Sequence, residues 1–160
     1  MNWEFTGETK IYFGITLKRI RAACDFTLKC GIKIHKGELG GWLEKESNLS
    51  GDAWVSGNAR VYGNAWVSDN ARVSGNARVE GNEDYMVFKN SWSSGRWFTY
   101  TSSNKKWSVG CFYGTGEELI KKAYADSEKS GKCYEAIVKA VETIEAAKDD
   151  YKESEASNGD

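Results

Sequence analysis

The stretch "WVSGNARVYGNAWV", residues 54 to 67, sets an arginine and three aromatic rings at successive intervals of six, two and four residues. An arginine guanidinium is a planar fork that meets two phosphate oxygens at once, and an indole or phenol offers a flat face on which a base can stack. Arg60, Arg78 and Arg96 are therefore candidate anion-binding residues, and Trp54, Trp66, Tyr62 and Trp97 candidate stacking partners. The chemistry predicted is non-covalent capture of a small anionic nucleotide. The same residues also fit a solvated face with cation–π support, or, for Trp54 and Trp66 displayed outward, a subunit interface anchored by aromatic rings. A second group, Trp92, Trp97, Phe98, Tyr100 and Trp107 near Arg96, Lys105 and Lys106, reads as an aromatic face under C-terminal helices or as a further aromatic and cationic pocket.

Catalytic signals are weaker. The one histidine, His35, precedes the repeats and reads as a surface or turn residue. Cys24, Cys30, Cys111 and Cys133 form no C-x2-C pair and are expected as buried free thiols, with Cys111 in a strand beneath the helices. Neither a G-x4-G-K-[ST] loop nor a G-x-G-x-x-G occurs, and "GCFYGTG" matches neither. No catalytic residue, metal or cofactor is assigned.

The elements that must position the candidates announce themselves by periodicity. Seven hexads begin at Leu43, Leu49, Val55, Val61, Val67, Val73 and Val79, and four residues after each of the first six stands Ser47, Ala53, Ala59, Ala65, Ala71 or Ala77. A strict period of six is neither the two of a strand nor the 3.6 of a helix. It fits a short strand and a turn, repeated, with three hexads to a coil of a triangular parallel β-helix. Gly-Asn at 57–58, 63–64 and 75–76, with Gly51-Asp52 and Asp69-Asn70 as variants, supplies the turns. Hexads three apart then stack, setting Trp54 over Arg72, Arg60 over Arg78 and Tyr62 over Glu80.

Two coils and a remainder need caps at both ends. "TKIYFGITLKRIRAAC" alternates as strands, and "KGELGGWLEKESNLS" leads into the first coil. "YMVFKNSW", "RWFTYTS" and "KKWSVGCFY" read as a three-strand antiparallel meander. A helix opens at Thr115 with Glu118 at capping-box spacing, and a second follows Gly131 with Tyr134, Ile137, Val138, Val141 and Ile144 as its apolar stripe. The fold expected is mainly β with C-terminal helices: N-terminal strands and cap (1–42), a short parallel β-helix of hexapeptide repeats (43–84), a β-meander plus two helices (85–152), and a disordered tail (153–160).

The 22 basic residues nearly cancel the 23 acidic ones, which argues against duplex nucleic acid or a membrane surface as partner. No basic leader and no apolar run long enough for a membrane helix occurs, so a cytoplasmic location is expected.

From "GITLKRIRA" through "GELGGWLEKESNLSGDAWVSGNARVYGNAWV" the chain resembles a family of small hexapeptide-repeat proteins encoded by phages and prophages, whose repeats form left-handed parallel β-helices. "KNSWSSGRWFTYTSSNKKWSVGCFYGTGEELIKKAY" resembles a C-terminal module of the same genomes, marked here by Ser94, Gly95 and Arg96 and by the Gly-Cys-Phe-x-Gly-Thr run of Gly110, Cys111, Phe112, Gly114 and Thr115. Relatives often carry His-Gly-Asp after the first helix, where this chain has Asp126, Ser127 and Glu128. The resemblance implies a homo-oligomer, a trimer as is usual among such β-helices, working in a bacterial host. The expected function is a non-enzymatic binding protein that sequesters a small nucleotide-type signal of host immunity. The alternatives are a structural or host-protein-binding phage module without a small ligand, and an acyltransferase-like enzyme.

Overall fold

The computed structural model describes residues 1–68 and 70–158, with side chains described as far as Tyr151. The chain divides into two compact units, Met1–Thr115 and Gly116–Asp160. The N-terminal strands, the hexads and the meander therefore belong to one body rather than to separate segments.

That body opens with β1 (Trp3–Tyr12) and β2 (Ile15–Ala22), an antiparallel hairpin. Its two-residue turn, Phe13 and Gly14, has φ of 45° and 78°, the paired positive angles that match the twist of a hairpin. A small hairpin of β3 (Phe26–Thr27) and β4 (Lys33–Ile34) follows, then β5 (Leu39–Leu43), which pairs antiparallel with β2. Gly40 and Gly41 lie in β5 for steric reasons: a Cβ on Gly41 would stand 2.6 Å from the Ala59 carbonyl oxygen, and one on Gly40 2.7 Å from that of Val55.

The hexads supply β6 (Trp54–Val55), β7 (Arg60–Val61), β8 (Arg72–Val73) and β9 (Arg78–Val79). They pair in parallel at an offset of 18 residues: Leu43 with Val61, Val61 with Val79, Leu49 with Val67, and Val55 with Val73. Three hexads per layer was the spacing expected. The strands fall into separate sheets, one of five strands in the order β1-β2-β5-β7-β9 with mixed directions, the other β6-β8. The seven aliphatic residues are all buried, as are Ala53, Ala59, Ala65, Ala71 and Ala77, which together form the lumen of the repeat. Ser47 departs from the pattern and is exposed, because a 3-10 turn at Glu46–Asn48 replaces the extended second half of the first hexad. Asn48 becomes an internal strut, its amide donating to the Ala65 carbonyl at 2.8 Å while its oxygen accepts from the Lys45 N–H at 2.8 Å. Gly51, Gly57, Gly63 and Gly75 hold φ of 63–64° at the turns, the left-handed region glycine enters without penalty. The Asp69-Asn70 turn lies partly outside the described residues, at Asp69.

The last layer is closed by side chains. In earlier hexads the N–H before the aliphatic residue donates to an alanine carbonyl 17 residues ahead: Trp42 to Ala59, Trp54 to Ala71, Arg60 to Ala77. In the final three hexads the equivalent N–H of Trp66, Arg72 and Arg78 meets Asn82 Oδ1 (3.0 Å), Thr99 Oγ1 (2.9 Å) and Ser103 Oγ (2.8 Å) instead. A side-chain oxygen thus terminates each of the three rows, and an open β edge, prone to pairing with other chains, is avoided.

Two of those oxygens come from the meander, β10 (Tyr85–Lys89), β11 (Trp97–Thr101), β12 (Lys106–Val109) and β13 (Phe112–Gly114). It has four strands where three were expected, because Gly110 at φ 53° turns the third run back on itself. Cys111 accordingly sits exposed in that turn and not in a strand; Cys24 is also exposed, and Cys30 is the buried thiol. Phe98, Tyr100 and Trp107 are buried and pack ring against ring, with Phe88 stacked 5.7 Å from Phe98.

The second unit is α1 (Gly116–Asp126) and α2 (Glu128–Asn158). The second helix begins before Gly131, not after it, and the N–H of Gly131 donates to the Ser127 carbonyl. Its backbone runs on to Asn158 through what was expected to be a tail from 153. Residues 132–158 contain neither glycine nor proline and are rich in Glu, Ala and Lys, so nothing in them stops a helix. Residues 159 and 160 lie outside the described residues.

Candidate functional site

The five-stranded sheet carries one cross-strand row of unusual composition: Arg19 on β2 pairs with Trp42 on β5, Trp42 with Arg60 on β7, and Arg60 with Arg78 on β9. Three guanidinium groups and an indole therefore share one face. Lys10 and Tyr12 reach the same group from β1. The Lys10 ammonium stands 4.2 Å from the Trp42 ring centre, Arg19 lies 5.6 Å from it, and Arg60 lies 4.4 Å over the Tyr12 ring. Tyr12 and Tyr62 lie 5.9 Å apart, and Leu17, Trp42 and Tyr62 form the apolar floor.

Four cations share this face with carboxylates at its margin, Glu8 beside Arg19, Glu80 near Tyr62 and Asp84 near Arg78. Burial, then Arg60, then Arg19 push the Lys10 pKa below its ordinary value, with Glu8 opposing. Tyr62 is raised, first by burial and then by Glu80. Arg78 is raised chiefly by its hydrogen bond with the Tyr12 side chain. Glu8 answers one cation, its carboxylate 3.6 Å from Arg19. Two donors here are buried and unpartnered among the described residues, Arg60 Nε and Trp42 Nε1. Stacking guanidinium on ring buries those N–H groups where no protein acceptor reaches them, and an unmet buried donor is costly.

Of the residues the sequence proposed, the structure brings Arg60, Arg78 and Tyr62 together here. Trp54 is corrected: it is 0% exposed, packed edge-on against Phe26 at 5.7 Å, so the β3–β4 hairpin covers the ring expected on the outside. Arg96 lies elsewhere, folded over Gly31, whose added Cβ would meet the guanidinium carbon at 2.8 Å. Trp97 is half-buried at the start of β11, its N–H bonded to the Lys29 carbonyl at 3.0 Å. Trp66 is 54% exposed on a different row, paired through Leu49 and Val67. His35 is exposed beside a turn. Among the described residues no group of three or more His, Cys, Asp or Glu could hold a metal ion.

Sequence reasoning missed Lys10, Tyr12, Arg19 and Trp42. Trp42 had a signal, since it stands before Leu43 as Arg60 stands before Val61, and the 18-residue stacking carried back one layer sets it beneath Arg60. The β1 and β2 residues had none, because a hairpin reaches the face only through tertiary pairing.

The hexads pair in parallel at an 18-residue offset around buried valine and alanine, in strands that fall into separate sheets. Residues 53–69 and 71–82 are similar to the family model described as the YdcK beta solenoid repeat. No curated protein and no solved structure matches the chain.

Proposed function

We propose that the chain is a non-enzymatic, homo-oligomeric binding protein that holds a phosphate-bearing, nucleotide-type anion on the face formed by Lys10, Arg19, Arg60 and Arg78. The carrying observation is Lys10, an ammonium kept beside two guanidinium groups that disfavour its charge, with Tyr12, Trp42 and Tyr62 around it. Clustered cations are stabilised by an incoming anion, and the rings give a base a surface to stack on. The hexads, on this reading, wind as the left-handed, three-sided coil that their resemblance implies. That resemblance also supplies the setting, a phage protein in the host cytoplasm, and analogy with other small oligomeric phage proteins suggests a signal of bacterial immunity as the anion it sequesters. No described helix is long and apolar enough to cross a membrane.

Calorimetry with a panel of cyclic and ADP-ribose-type nucleotides tests the reading. The parent should bind at least one, and Arg60→Ala or Arg78→Ala should weaken it at least about tenfold, the loss of one charge-assisted bond of roughly 1.5–3 kcal/mol. Heat denaturation should release the ligand intact, whereas an enzyme would return product. A parent that binds no nucleotide overturns the proposal. The second reading, a module that docks on a host protein without a small ligand, rests on Ile11 and Phe13, 72% and 85% exposed at the tip of the β1–β2 hairpin.

A further inference from the structure

Trp66 is the solenoid tryptophan left uncovered. It occupies the same place in its hexad as Trp42 and Trp54, both buried, yet its indole stands open beside a cleft of about 700 Å³. It is held from three directions: its indole N–H donates to the Ser50 hydroxyl, its main-chain N–H to Asn82 Oδ1 at 3.0 Å, and its carbonyl accepts from the Tyr85 hydroxyl at 2.8 Å. The two main-chain bonds fix the backbone beneath the ring, and the indole N–H bond to Ser50 orients the ring itself. Around it the cleft presents Ser47, Ser50 and Asn64, together with Lys45 and Glu46, whose charges cancel.

We infer that this cleft binds a neutral saccharide ring. An open indole suits a ligand with one flat apolar face, and a rim of hydroxyl, amide and one charge of each sign suits a ligand whose edge carries hydroxyl groups that both donate and accept. A pyranose has both features, C–H groups on its face and hydroxyls around its edge. Among the lining side chains a phosphate-bearing ligand meets one lysine, offset by Glu46, in contrast to the cations of the Arg60 face. The inference is independent of the anion site and involves different rows of the solenoid.

The test is calorimetry and tryptophan fluorescence of the full chain, with adenosine as a nucleoside control, against the saccharides methyl glucoside, methyl galactoside, N-acetylglucosamine, maltose, cellobiose and lactose. At least one should bind, with the weak affinity usual for a single stacked ring. Trp66→Ala should weaken it at least tenfold, Trp66→Phe should recover part, and Arg60→Ala should change nothing. Asn64→Ala, which leaves the ring in place, should also weaken binding, so a misfolded Trp66→Ala would not end the test. The inference is overturned if no saccharide binds the parent or if Trp66→Ala binds as the parent does. It is overturned equally if adenosine alone binds in a Trp66-dependent way, or if Trp66→Ala lowers the mass in light scattering while no saccharide binds, since the ring then belongs to a subunit interface.

Discussion

Individual side chains fix the interior of the repeat by size and by hydrogen bonding in different places. Ala65 lines the lumen between Val61 and Val67, so Ala65→Leu should overpack it and cost about 1–3 kcal/mol, whereas Ser68→Leu should be milder; denaturant midpoints of the two variants compare them. Asn48 is fully buried and spends its oxygen and its amide on backbone groups, so Asn48→Ala should leave those groups unmet and cost about 1–3 kcal/mol by the same measurement. Gly75→Ala should be harmful twice over, through its φ of 64° and because the Tyr113 hydroxyl occupies the place of the added Cβ. The valines, alanines and turn glycines were legible because their identities repeat. Asn48 was not, for a single polar residue in one hexad looks like a surface variant until the 3-10 turn carries it inward. The covered Trp54 misled for a related reason: the period tells which residues point out of the lumen, not which of those another hairpin then buries.

Among the elements, the hexads, the β1–β2 hairpin and the antiparallel meander could be read ahead of the structure, because alternation and a six-residue period are local properties. The fourth meander strand, the early start of α2 and the pairing of β2 with β5 could not. Each depends on one glycine's conformation or on a contact distant in sequence. The meander's role at the end of the solenoid is also tertiary. Thr99→Val keeps its shape and removes the acceptor for the Arg72 N–H, and should cost about 1–3 kcal/mol. Combined with Ser103→Ala, it bares two of the three rows, and the double variant should form higher-mass species at concentrations where the parent does not, as light scattering would record.

At the scale of the molecule, the alkaline limb of stability reports on the anion face. A lysine whose folded pKa lies below 10.5 leaves the unfolded chain binding more protons, so stability rises with pH between the two values; the gain is complete above 10.5 and is lost as pH falls through the folded value. Tyr62, Tyr85 and Tyr113, raised above 10.0 by burial, act oppositely: their contribution is whole below 10.0 and is lost as pH rises through their folded values. Lys10→Met keeps the stem on Trp42 and removes the charge, so it should be more stable than the parent at pH 7, with the gap closing toward pH 10.5, as denaturant titrations at stepped pH would show. The trimer expected by resemblance is tested by molecular mass. A mass near 17.9 kDa across a dilution series would leave the oligomer without support.

The three oxygens that finish the last layer are not interchangeable, one being the amide of Asn82 and two the hydroxyls of Thr99 and Ser103. A gene of near-identical hexads invites slippage during replication, and this ending decides which accidents survive. Gaining 18 residues returns every row to its own terminator one storey higher. Gaining six hands each row to a neighbour's terminator. The repeat number should therefore drift in threes, and a chain lengthened by a single hexad should be recovered insoluble where one lengthened by three is not.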